Sequence, residues 1–162
     1  GGRHAVPQGA LPRAEDERLT WLVPGMVREK YGREAVLVGF TTYSGTVTAA
    51  SDWDEPGERK QVRPGLPGSY EALFHDTGLP YFLLPLRDGG PAADALREPR
   101  LERAIGVVYR PDTERISHYF DARLPEQFDA VIHIDDTRAL EPLEPAAGWH
   151  TGEVPETYPT AV

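Results

Sequence analysis

The sequence predicts an α/β fold with a small, partly parallel sheet and short helices. Short apolar, β-branched runs (Val36–Phe40, Ile105–Tyr109, Ala130–Ile134) alternate with short helical patterns, the order that builds mixed layers. Gly and Pro number 16 each; against their usual share of ~12%, this enrichment shortens elements and multiplies turns. A length of 162 residues suits one domain of roughly 100–200 residues.

Residues Gly1–Arg13 carry no periodicity and read as a loose leader. Between Ala14 and Tyr31, Leu19, Leu22, Val23, Met26 and Val27 recur at helical spacing, with acids early and Lys30 late. Pro24 either kinks this helix or lies in its first turn, and Gly32 supplies the stop. Val36–Phe40 is a buried strand and Thr46–Ala50 a second one. The polar stretch Asp54–Pro67 reads as a loop. Ser69 caps a short helix, Tyr70–Asp76, which Gly78 closes. Tyr81–Leu84 is a strand whose flanking Pro80 and Pro85 limit its length and suggest a sheet edge or an end. Asp88–Ala93 reads as a loop, Pro99–Arg103 as a helical turn and Ile105–Tyr109 as a strand ended by the turn Arg110-Pro111-Asp112. Ser117–Arg123 fits either state, Leu124–Phe128 is a turn or short helix, and Ala130–Ile134 is the last strand. The apolar runs cover both faces of the sheet, but only the first helix is strongly amphipathic. A sheet buried on both faces needs helices on each side, so the expected fold is an incomplete portion of a larger α/β domain.

The net charge of −9 repels nucleic-acid phosphates and anionic membrane surfaces. No apolar run approaches the ~18 residues of a membrane span, and no secretory signal stands at the N-terminus. Without cysteine, disulfides and thiolate chemistry are excluded, which fits a cytoplasmic location. Ser44 and Ser69 lack a G-x-S-x-G frame, and Gly65-Leu66-Pro67-Gly68 has prolines where a phosphate loop needs N–H donors. No metal or cofactor is expected.

Apolar scaffold meets dense polar chemistry at Ala35–Trp53. A strand that delivers Thr41, Thr42, Tyr43 and Ser44 to its end, with Trp53 further on, can form a pocket rim; the same residues also make an ordinary turn, with Gly45 at positive φ. In Val131–Thr137, alternation sets His133 and Asp135 on one face and Asp136 opposite. This is either a base with an orienting acid, a weak metal corner, or a plain strand end. His75 and His118 read first as structural or surface residues, and Glu71 as a helix-start residue or a carboxylate for a cationic sugar amine. The weak catalytic candidates are His133 and His75.

Three blocks read together, Met26–Trp53, Pro64–Phe74 and Leu101–Leu143, carry the ordered series YG, GFTTYSGTVTAASDW, PGSYE, IGVVYRP and FDAVIHIDDT. They resemble the C-terminal part of the erythromycin esterase family, including its actinobacterial members. The resemblance covers residues 23–143, between a divergent leader (1–22) and a Pro/Glu/Thr-rich tail (144–162). It implies a hydrolase of macrolide lactones or related esters that activates water with His and Glu, without a metal or a covalent serine. It also makes Thr41, Thr42, Tyr43, Ser44 and Trp53 a wall of the substrate cleft. The family's catalytic His and Glu residues lie upstream of the matched segment. A paired-histidine motif of the HNxH type belongs just before the helix ending in Tyr31-Gly32; here Arg3-His4-Ala5-Val6-Pro7 offers only His4. The resemblance therefore implies a catalytically incomplete chain with a small-molecule ester or macrolide as ligand. The alternative is a non-catalytic fragment or binding subunit that completes its fold with a complementing chain.

Overall fold

The computed structural model describes residues 25–141 and 143. Two units are distinct, 1–35 and 36–162. In the first, residues 25–31 are helical (α1) and a 3₁₀ turn, Gly32–Glu34, follows. Gly32 leaves the helix at φ +53°, the left-handed conformation that ends helices. The Arg28 guanidinium donates to the Gly32 carbonyl at 3.2 Å and the Ala35 carbonyl at 3.4 Å, covering acceptors that a helix end leaves open. The expected helix thus ends where the sequence places its stop. Its part before residue 25, with Pro24, lies outside the described residues, as do the leader and the tail.

The second unit holds three small sheets. Strands β1 (Val38–Thr41), β7 (Ala130–Ile134) and β4 (Tyr81–Pro85) form one in the order β1-β7-β4. β1 is parallel to β7, and β4 pairs with β7 antiparallel. β3 (Glu58–Val62), β2 (Ser44–Ala49) and β8 (Asp136–Thr137) form the second sheet in that order, with β2 and β8 parallel. β5 (Arg100–Arg103) pairs with β6 (Tyr119–Ala122). Short helices α2 (Tyr70–His75), α3 (Pro91–Ala95), α4 (Glu114–Ser117) and α5 (Leu124–Gln127) connect them. The architecture is mixed α/β, as expected from sequence.

β4 sits at the edge that its prolines require, and the Ser69 hydroxyl caps α2 by accepting the Ala72 N–H at 3.2 Å. Four readings change. Residues 58–62 form a strand inside the expected loop, because Glu58–Val62 zips onto β2 as a polar edge strand with only Val62 fully buried. The turn expected at Pro99–Arg103 is β5, since its backbone pairs with β6. Pro91–Ala95 is helical within the expected loop, with Pro91 opening its first turn. Ile105–Tyr109 is no strand: only Val108 makes a bridge, to Ala50, and Tyr109 instead buries its ring with Ala49 and Val62.

Two aspartates bracket β7. Before it, the Asp129 carboxylate accepts from the Leu37 N–H and from Arg87 Nε, each at 2.7 Å, tying the start of β1 to the end of β4. After it, the Asp135 carbonyl accepts the Tyr43 N–H at 3.1 Å and the Ser44 N–H at 2.9 Å. The parallel pair β1–β7 therefore passes as a pair into the second sheet, as β2–β8. Close approach there selects Gly45. At φ +112° it lies so near β8 that a Cβ would stand 2.1 Å from the Thr137 carbonyl oxygen.

The first sheet has one covered and one open face. Val131 and His133 point inward and are fully buried, with helix residue Phe74 edge-on to the His133 ring and Phe82 tilted against it. On the opposite face Val38, Phe40, Leu83, Tyr81 and Ile134 are exposed, Phe40 by 69% and Tyr81 by 75%.

Gly45→Ala should unpair β8 and destabilise the protein by about 2 kcal/mol or more, as strained backbone of this kind costs. Urea denaturation measures it. A variant within about 0.5 kcal/mol of the parent, the range of an ordinary surface change, would contradict the assigned close approach.

Candidate functional site

The C-terminal ends of β1 and β7 lie side by side, with Thr41 in register with His133. His133 is completely buried. Its Nδ1 lies 3.0 Å from Thr41 Oγ1 and its Nε2 3.4 Å from Asp135 Oδ1. Burial lowers its pKa below the ordinary histidine value, which keeps the ring neutral. A neutral ring that donates its Nε2–H to Asp135 accepts the Thr41 hydroxyl at Nδ1, and both contacts are satisfied.

Asp135 also receives a second imidazole. His75 closes α2, and its Nδ1 lies 2.8 Å and 3.0 Å from the two Asp135 oxygens. The His75 ring stacks on Tyr43, with centroids 3.7 Å apart and planes within 7°. Thr41, Tyr43, His75, His133 and Asp135 thus meet at one sheet end, although 92 residues separate Thr41 from His133 and 60 separate His75 from Asp135. The side chain of His75 is 42% exposed, and that of Asp135 is 24% exposed.

The other sequence candidates fall around this cluster. The Thr42 hydroxyl donates to the Ser44 carbonyl at 2.9 Å and stands 3.3 Å from Thr137 Oγ1, so Thr42 holds the loop. Ser44 Oγ donates to Asp136 at 3.3 Å. Asp136 therefore serves β8 and stays apart from His133, as strand alternation requires. Trp53 is half exposed in the β2–β3 connection, at the opposite end of β2 from Ser44 and about 20 Å of strand away. The structure does not bring it to the cluster. His118 is structural: Nε2 accepts the Arg110 N–H at 3.2 Å and Nδ1 faces the Ala104 carbonyl at 3.0 Å. Among the described residues no group of three or more His, Asp or Glu side chains could hold a metal. A groove of about 350 Å³ adjoins the same joint, lined by Phe40, Thr42, Thr46, Ile105, Ile134 and Arg138 among others.

Sequence reasoning missed Arg103, which fixes the rim from within. Its buried guanidinium donates to the Thr42 and Tyr43 carbonyls at 2.5 and 3.0 Å, to the Arg63 carbonyl at 2.7 Å and to Glu114 at 2.9 Å. The Tyr109 hydroxyl donates to the same Glu114 oxygen at 2.7 Å. Glu71, considered above for a sugar amine, is 1% exposed and accepts the Arg103 backbone N–H at 2.9 Å. Buried so, it cannot meet a ligand. Beside it, Glu102 Oε2 and Glu71 Oε2 are buried without hydrogen-bond partners among the described residues. Desolvation, with the Glu71 charge adding to it, pushes the Glu102 carboxyl up to about 8.

A family model for erythromycin esterase matches residues 10–137. The chain belongs to the erythromycin esterase family. Two solved structures are similar to this member. One, the crystal structure of a succinoglycan biosynthesis protein, is 25% identical with a TM-score of 0.58, covering 70% of this chain and 27% of that one. A Bacillus cereus protein is 22% identical with a TM-score of 0.58, covering 70% of this chain and 28% of its own. The likeness to the second shows the fold alone. This chain spans a little over a quarter of either structure's length.

Glu102 sets a pH dependence. The folded carboxyl holds its proton more tightly than the unfolded chain does, whose ordinary value is 4.5. Stability from that proton is complete below about pH 4.5 and is lost as pH rises through about 8, at no more than about 1.4 kcal/mol per pH unit. Glu102→Gln, which keeps the neutral shape, should match the parent in thermal melts near pH 5 and exceed it near pH 9. An equal difference at both pH values would refute the buried protonated carboxyl.

Proposed function

We propose that this chain forms one wall of an ester- or lactone-hydrolysing cleft and does not complete the reaction by itself. The observation that carries the reading is the cluster of Thr41, Tyr43, His75, His133 and Asp135 at the C-terminal ends of two parallel strands, the position where α/β sheets gather their ligands. Membership of the erythromycin esterase family supports ester chemistry, with macrolide lactones as the class its name carries. Hydrolysis needs a positioned base and also donors for the carbonyl oxygen. The resemblance places a paired-histidine motif where this sequence offers only His4, so this reading takes the facing wall as absent from the cluster described. The open apolar face of the β1-β7-β4 sheet suits a surface that another element covers.

Two assays on the purified chain test this. With p-nitrophenyl butyrate and with erythromycin, hydrolysis should not exceed buffer. Erythromycin added to a ¹⁵N-labelled sample should shift the amide signals of Tyr43 and neighbouring rim residues. Turnover that disappears on His75→Ala would contradict the incomplete wall, and unshifted rim signals at high erythromycin would contradict the ligand class.

A further inference from the structure

We infer that Glu71 and Glu102 hold one proton between them, and that this proton is a pH-sensitive latch fastening α2 to β5 beneath the Thr42–Tyr43 rim. The inference goes beyond the cleft reading and holds whatever ligand the rim meets. Its starting point is an imbalance of partners. Glu71 is 1% exposed and Glu102 6% exposed. Each keeps one carboxyl oxygen, Oε2, buried without a hydrogen-bond partner among the described residues. A buried carboxylate that lacks donors is far more costly than one that is satisfied. One proton answers both needs. Carried on Glu102, it makes an O–H that donates to the Glu71 carboxylate, a short, charge-assisted kind of hydrogen bond. Two orphan oxygens then become one donor and one acceptor.

The surroundings decide where the proton rests. Burial raises the Glu71 carboxyl, but the Arg103 N–H at 2.9 Å, its own N–H and the Ser69 hydroxyl all act against the rise. On Glu102, burial and then the Glu71 charge both keep the proton on. The groups around the pair are Tyr70 of α2, Arg100 and Arg103 of β5, Tyr119 of β6 and Arg123 beyond it, with Glu114 of α4 behind Arg103. Burial raises Tyr70 and pushes Tyr119 up to about 12, so both hydroxyls stay neutral where the carboxyls titrate. Arg100 and Arg123 bond the Gly68 carbonyl and Glu126. Arg103 turns its guanidinium to Glu114 and to the carbonyls of Arg63, Thr42 and Tyr43. Loss of the proton therefore sets two carboxylates against each other in a dry interior.

That repulsion has a path to the rim. The bond from the Arg103 N–H to Glu71 joins α2 to β5, beside the Ser69–Leu101 bridge, and the Arg103 side chain holds the Thr42 and Tyr43 carbonyls. Gly65 is a second link. Its N–H donates to the Tyr43 carbonyl at 2.9 Å, and a Cβ on it would stand 2.8 Å from Glu71 Cβ and 3.1 Å from Tyr43 Cδ2. Glu71 cannot draw away from Glu102 without disturbing what holds Tyr43. The proton is held at neutral pH and lost as pH rises through about 8, so the latch opens on the alkaline side and loosens the rim.

Carboxyl ¹³C spectra of the Glu-labelled chain, recorded from acid to alkaline pH, read the proton, and amide ¹H–¹⁵N spectra read the rim. The Glu71 and Glu102 Cδ signals should move together with one midpoint near pH 8, because the two groups titrate as a pair. The Arg103 and Tyr43 amide signals should move with the same midpoint. In Glu102→Gln the new side-chain amide gives Glu71 a permanent donor, and the step near pH 8 should vanish from Glu71, Arg103 and Tyr43 alike. Separate midpoints for the two carboxyls would overturn the shared proton. A Tyr43 amide that stays still while they titrate would overturn the latch, and so would a step that persists in Glu102→Gln. If that variant does not fold, the midpoints of the parent still decide both halves of the proposal.

Discussion

The backbone carbonyl of Asp135 accepts two amide hydrogen bonds, from Tyr43 and Ser44, and at that point two strands change sheets together. Neither crossover would hold its course alone. A two-residue strand such as β8 makes too few ladder bonds to fix its own register. Pairing it in parallel with β2 immediately after the β1–β7 ladder lets one register set the other. The close approach at Gly45 follows from this, as does the juxtaposition of Thr41 with His133. The same residue then works through its side chain: the carboxylate that follows β7 gathers one histidine from the core and another from the end of α2. Backbone constraint and candidate chemistry thus share one residue.

Buried charge stiffens the rim. Arg103 is sunk beneath the Thr42–Tyr43 loop and spends its donors on backbone carbonyls and on Glu114. Desolvating such a pair costs several kcal/mol, and the attraction recovers it only when the remaining donors are satisfied. Here the satisfied donors are those that hold Thr42 and Tyr43, so the cost is converted into position. The Glu71 and Glu102 pair is the less favourable side of the arrangement: each carries a buried oxygen without a partner among the described residues, and protonation of Glu102 relieves part of the penalty.

Much of this was legible in the sequence. Ala130–Ile134 reads as a strand because its run is apolar, although the sheet buries only Val131 and His133 fully, and α2 announces itself through the Ser69 cap. The alternation that sets His133 and Asp135 on one face also survives in three dimensions. What could not be read is pairing. Glu58–Val62 is polar because it is an edge, and Arg100–Arg103 is polar because Arg103 pairs with distant Glu114 and burial holds the Glu102 carboxyl protonated. The apolar Ile105–Tyr109 run signals burial, yet its residues are buried as irregular chain. In the site, His75 and Arg103 reach the rim through contacts spanning 60 or more residues, which no local pattern encodes. The open apolar face was expected from the shortage of amphipathic helices.

Asp135 and Arg103 fix the rim, and native-state amide hydrogen exchange measures that most directly. The Tyr43 and Ser44 amides should exchange as slowly as those in the β7 ladder, through the same opening reaction, and far more slowly than amides of the exposed β2–β3 connection around Trp53. Exchange of Tyr43 and Ser44 at the rate of that connection would show a loose loop, and the shared joint between the two sheets would not exist.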